Sequence, residues 1–148
     1  MASNRSKNNY LENFPTGVKI KLSALWVSVM FCYVYGDFFS LFVPDRIQKL
    51  IDGHSGIGTT TPHSLLAFAM LMTIPSLMIF LSLVLKPNIN RWVNIGIGGL
   101  FTLIMILILV TTNGKWMIFY GYLAVIEIIL TSLIIYYAWK WPKQMITN

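Results

Sequence analysis

Four long apolar runs dominate the order of apolar and polar positions along the chain. They extend over about 22–43, 65–85, 92–112 and 116–139. At 1.5 Å rise per residue, a bilayer-crossing helix needs about 20 mostly apolar residues. Each run meets that length and contains few charged residues. Pro44, Pro87, Asn113-Gly114 and Pro142 follow the runs closely, where helix stops belong. Thr61-Pro62 offers an N-cap followed by a proline at the first helical position. The pattern therefore predicts an all-α protein, a membrane four-helix bundle spanning residues 22–141. A polar segment, 1–21, precedes it, and a short tail, 142–148, follows.

Composition strengthens this reading. Of 148 residues, 56% are hydrophobic and 11% charged, whereas a soluble domain carries about a quarter charged residues. Mean hydropathy is +0.67. The net charge of +6 does not point to nucleic acid, because the basic residues sit in short connections between apolar runs. With four spans both ends of the bundle's chain share one side. Eight of the 11 Lys and Arg fall on that side and three, Arg46, Lys49 and Lys115, on the other. The positive-inside rule then places both termini in the cytoplasm of a multi-pass cell-membrane protein. Trp92, Trp116, Trp139 and Trp141 lie at span ends, as an aromatic belt requires. The first run is too long for a signal-peptide core and lacks a small-x-small cleavage site, so it is expected to be retained.

The longest connection, PDRIQKLIDGHSGIGTTTPHS, lies on the outer side. A short helix is expected from Pro44, with Ile47, Leu50 and Ile51 on one face and Gly53 as its stop, lying along the membrane surface. His54 and His63 have no organised acidic or cysteine partners, so no metal site and no cofactor are expected. Cys32 is the one cysteine. It is expected to be a small apolar filler.

Inside the spans, polar residues recur at helical spacing. Ser23, Trp26, Met30, Tyr33, Asp37 and Ser40 share one face of the first span. The same stepping gives Ala69, Thr73, Ser76 and Phe80 on the second. It gives Asn94, Gly98, Thr102 and Met105 on the third, and Tyr120, Ala124, Glu127, Thr131, Ile134 and Ala138 on the fourth. Four such stripes are expected to converge on the bundle interior. Gly96, Gly98 and Gly99 are expected to admit a close helix neighbour, and Pro75 to bend the second span.

Two acids, Asp37 and Glu127, then lie within the outer half of the membrane, about 9 Å and about 16 Å from the outer helix ends. No Lys, Arg or His occurs at comparable depth. An intramembrane acid is a functional-site candidate by default. Burial and a second acid both favour the neutral form of a carboxyl, so Glu127 is expected to hold or share a proton. Tyr33 and Tyr120 are candidate hydrogen-bond donors, with Ser40, Thr73, Ser76 and Thr102 as further polar candidates. A purely structural role for Glu127, bridging to Thr73, Ser76 or Thr102, is the competing reading.

The motifs LWVSVMFCYVYGDFFSLFVP, IPSLMIFLSLVLKPNINRWVNI and YYAWKWP resemble a family of small bacterial four-span membrane proteins of unknown function. The resemblance rests on Leu25, Trp26, Tyr35, Asp37, Ser40, Leu41, Pro44, Pro75, Met78, Asn90, Arg91, Trp92, Asn94, Glu127, Ala138, Trp139, Lys140 and Trp141. More loosely, the layout is similar to DoxX-like proteins. The resemblance implies no activity. Asn90, Arg91, Trp92 and Asn94, with Trp139, Lys140 and Trp141, are expected to anchor the bundle at the cytoplasmic interface. Three functions remain open: a small-molecule or proton-coupled transporter or binding protein, a non-catalytic subunit or scaffold binding lipid or protein, and an intramembrane enzyme. The enzyme is disfavoured because no nucleophile or base stands beside the acids. Partners expected are the lipid bilayer, a small-molecule ligand and a second copy of the chain.

Overall fold

The computed structural model describes residues 15–54, 58–112 and 114–142. The expectations for Arg5, Lys7, Lys143 and Asn113 lie outside the described residues. The elements are α1 (Val18–Ser40), α2 (Arg46–Ile51), α3 (Pro62–Val84), α4 (Pro87–Thr111) and α5 (Ile118–Trp139), with a 3₁₀ turn, Lys115–Met117, leading into α5. No strand occurs among the described residues.

Local chemistry sets the helix ends. Thr61 and Ser64 form a reciprocal capping box: Ser64 N–H donates to Thr61 Oγ1 at 3.1 Å, and Thr61 N–H donates to Ser64 Oγ at 2.9 Å. Proline occupies the first turn of both α3 and α4, where its missing N–H costs nothing. Before α2, Asp45 adopts a left-handed φ of 61°, a conformation that Asp tolerates better than most residues. This turns the chain out of α1 and into α2. Gly53, at φ 78°, closes α2.

Four helices are long and apolar enough to cross a membrane. Their outward faces carry Phe31, Leu77, Leu103, Val110 and Ile129, all exposed. Such extensive apolar exposure would be untenable in water and is ordinary against lipid. The bundle is an integral, multi-pass membrane structure.

α1 packs against both α3 and α5, and α4 packs against α5. α3 and α4 meet over a shorter stretch. The core is built around Leu22, Trp26, Val29, Met78, Ile134 and Ala138. Trp26 meets Phe101 edge-on, with ring centroids 6.2 Å apart. Gly98 makes the α4–α5 crossing possible: a Cβ there would stand 3.2 Å from Ile135 Cγ1 and 3.5 Å from the Thr131 carbonyl oxygen. Gly96 and Gly99 have no such neighbour, so the expected close approach is made by Gly98 alone of these three.

The inner stripes of α4 and α5 fall where the spacing put them. Asn94, Gly98 and Met105 are buried, as are Ala124, Glu127, Thr131, Ile134 and Ala138. α3 requires a correction. Its buried residues are Pro75, Met78 and Ser82, whereas Ala69, Thr73, Ser76 and Phe80 are exposed. The reason is local. Thr73 Oγ1 donates to the Ala69 carbonyl at 2.8 Å, and Ser76 Oγ to the Met72 carbonyl at 2.9 Å. A hydroxyl satisfied within its own helix can face lipid, so it does not report the inner face.

Candidate functional site

Two polar regions occupy the bundle, one toward each end. The first lies toward Arg46 and contains the acids. Glu127 is 3% exposed on α5, and its Oε2 has no hydrogen-bond partner among the described residues. The Tyr33 hydroxyl on α1 is likewise buried and unpartnered among them. Tyr33 and Glu127 lie within electrostatic reach of each other. Tyr33 also packs against Phe101, with centroids 6.1 Å apart.

Asp37 and Tyr120 complete this region, and both interact electrostatically with Glu127. The chain achieves the approach by placing Gly36 where α1 faces Tyr120 and Leu123 of α5, 3.5–3.6 Å from a Cβ position. Asp37 stands at the edge of the α1 stripe, exposed at its side-chain surface. Its charge is opposed by Arg46 of α2. Arg46 was not expected here, because the sequence spacing does not reveal that a residue beyond the end of α1 interacts electrostatically with Asp37. A basic residue two positions after a span-ending proline was the available signal. Cys32, half-buried, borders the same group.

The other polar candidates are directed elsewhere. Ser40 Oγ donates to the Asp37 backbone carbonyl at 2.7 Å. Thr102 Oγ1 lies 2.7 Å from Thr131 Oγ1 and 2.8 Å from the Gly98 carbonyl. Ser76 also reaches Met30 Sδ at 3.5 Å. Among the described residues, Thr73, Ser76 and Thr102 thus spend their hydroxyls on other acceptors, and none of their hydrogen bonds makes the bridge to Glu127 that the competing structural reading named. No group of three or more His, Cys, Asp or Glu side chains that would hold a metal gathers among the described residues.

The second polar region lies toward Lys19. Trp26 Nε1–H donates to Asn94 Oδ1 at 2.8 Å. Asn94 Nδ2 donates to Asn90 Oδ1 at 2.6 Å and to the Asn90 carbonyl at 2.9 Å. Asn90 Nδ2 donates to the Ser82 carbonyl at 2.6 Å, and Ser82 Oγ donates to Asn94 Oδ1 at 3.3 Å. All four side chains are buried. This network ties α1, α3 and α4 together. Asn90 and Asn94, expected as interface anchors and Asn94 also on the inner stripe of its span, are both fully buried against the neighbouring helices. Two residues of helix are about 200° of rotation, so Trp92 faces outward while Asn90 faces inward. Asn90 also extends the Asn94–Gly98–Thr102 stripe by one step of four, a signal present in the sequence.

The remaining anchor candidates surround the Lys19 end. Arg91 Cζ lies 5.6 Å from the Trp92 ring and 5.4 Å from the Trp139 ring. Lys140 Nζ lies 4.8 Å from the Tyr136 ring, and Lys21 Nζ 5.3 Å from Tyr137. Trp141 packs against the core cluster. Exposed Trp rings holding a cation at helix ends suit the headgroup region.

No curated protein and no solved structure matches the chain. The looser likeness to DoxX-like proteins gains no support from these comparisons. Residues 11–148 match the family model of DUF6326, a family of unknown function, and the chain, a four-helix membrane protein with two acids set among its spans, belongs to that family.

Proposed function

We propose that the chain is a small membrane binding protein or carrier whose site, Glu127 with Tyr33, Asp37 and Tyr120, takes a proton or a small protonated ligand such as an amine. The observation carrying this reading is the Glu127 carboxyl: buried, with Oε2 unpartnered among the described residues and with no basic residue in the spans at its depth. A carboxylate left in that position is costly. A proton or a bound cation removes the cost, and Tyr33 and Tyr120 supply hydroxyls that orient either one. Asp37, nearer the surface and opposed by Arg46, is the entry group. The excess of basic residues near the Lys19 end orients both termini to the cytoplasm, and the acid site then faces outward.

A site of this kind sacrifices stability for function. Replacing Glu127 by Gln removes the charge and keeps the shape. E127Q is therefore expected to melt at the wild-type temperature or above, and to abolish proton flux into proteoliposomes under an imposed pH gradient. A variant that loses about 1 kcal/mol of stability, as interhelical glue would, and whose vesicles behave like wild type contradicts the proposal and supports a scaffold.

A further inference from the structure

The Lys19 end contains a cleft of about 720 Å³, lined among others by Gly17, Lys19, Leu83, Asn88, Arg91 and Trp141. We propose that this cleft binds the phosphate of an anionic membrane lipid headgroup. The inference is independent of the acid site, which lies toward the other end of the bundle.

Charge is the first argument. Among the described residues, Lys19 and Arg91 line the cleft and no acidic residue does. Of the five acids in the sequence, Asp37, Asp45, Asp52 and Glu127 belong to the Arg46 half, and Glu12 lies outside the described residues. The second argument is donor availability. Arg91 Nε is buried and has no hydrogen-bond partner among the described residues. Its guanidinium is held in place by Trp92 and Trp139 and presents donors in a planar fork suited to phosphate. Lys19 Nζ uses one donor on the Leu83 carbonyl at 3.1 Å, and an ammonium has three. The third argument is backbone. α4 begins at Pro87 without a side-chain cap, so the Asn88 and Ile89 N–H groups lack intrahelical partners, which favours an anion there. Size agrees, since small-molecule pockets run to about 300–1,000 Å³. Depth selects the lipid as the phosphate's source: the cleft sits at helix ends flanked by exposed Trp92 and Trp139, at headgroup level.

The test is native mass spectrometry of the full-length chain in detergent. Phosphatidylglycerol and phosphatidylcholine of identical acyl chains serve as probes, with Lys19→Gln and Arg91→Gln as variants and unchanged thermal melts as the folding control. Wild type is expected to retain one phosphatidylglycerol in preference to phosphatidylcholine. Each variant that melts like wild type is expected to weaken that retention about tenfold, the loss of one charge-assisted hydrogen bond. Excess inorganic phosphate is expected to leave the bound lipid in place. Equal retention of both lipids, or wild-type retention by a folded variant, overturns the proposal. Displacement by inorganic phosphate overturns the lipid as the source and assigns the cleft to free phosphate.

Discussion

Asn94 receives hydrogen bonds from Trp26 and Ser82 and donates to Asn90, which makes it the hub of the network toward Lys19. Substitution by Ala strands the buried Trp26 N–H and Asn90 Oδ1. Asn94→Ala is expected to destabilise the protein by about 2 kcal/mol, read as a lower melting temperature in detergent. Trp26→Phe keeps most of the ring and loses one bond, and is expected to cost about 1 kcal/mol. Glu127 is the opposite case: among the described residues its buried Oε2 has no such bond, and its removal is expected to spare stability. If the site takes a cationic ligand, protons compete for the same carboxyl. Ligand affinity then falls as pH falls, and ligand binding releases protons, measurable with a pH indicator in weak buffer. Asp37 and Glu127 stand out in the sequence because charge inside an apolar run is rare, and Tyr33 and Tyr120 could be picked out from their helical spacing to these acids. Arg46 could not be, because it lies beyond the end of α1, outside the helical spacing that relates residues within a span.

At the scale of the element, the inner faces of α4 and α5 were legible. Each carries a residue that must face inward: a carboxamide in Asn94, a carboxyl in Glu127, and a glycine at the crossing in Gly98. α3 carries none of these on its polar face. Its hydroxyls at Thr73 and Ser76 bond to carbonyls of their own helix, and its buried face follows Pro75, Met78 and Ser82 instead. Spacing alone could not distinguish a hydroxyl that needs the interior from one that is satisfied anywhere. The glycines of α4 provide a direct check. Gly98→Ala places a Cβ 3.2 Å from Ile135 Cγ1 and is expected to cost about 1–2 kcal/mol through overpacking. Gly96→Ala and Gly99→Ala meet open space and are expected to be neutral or stabilising by up to about 1 kcal/mol. Thermal melts of the three variants separate these outcomes.

Over the whole molecule, the two ends of the bundle differ in chemistry. Among the described residues, acids collect toward Arg46, and cations with aromatic anchors collect toward Lys19. This asymmetry underlies the proposed orientation, which single-cysteine labelling in a Cys32→Ser background checks. A cysteine at Asp52 is expected to react with an impermeant maleimide on intact cells, and one at Lys140 only after permeabilisation. The central claim is that the Glu127 carboxyl is a working proton or cation site. Carbodiimide labelling of the purified protein, followed by peptide mass spectrometry from mildly acid to mildly alkaline pH, tests it most directly. The account predicts that Glu127 reacts, that its modification falls as pH rises, and that a lipophilic amine protects it. Failure of Glu127 to react at any pH, or reaction independent of both pH and amine, would contradict the account.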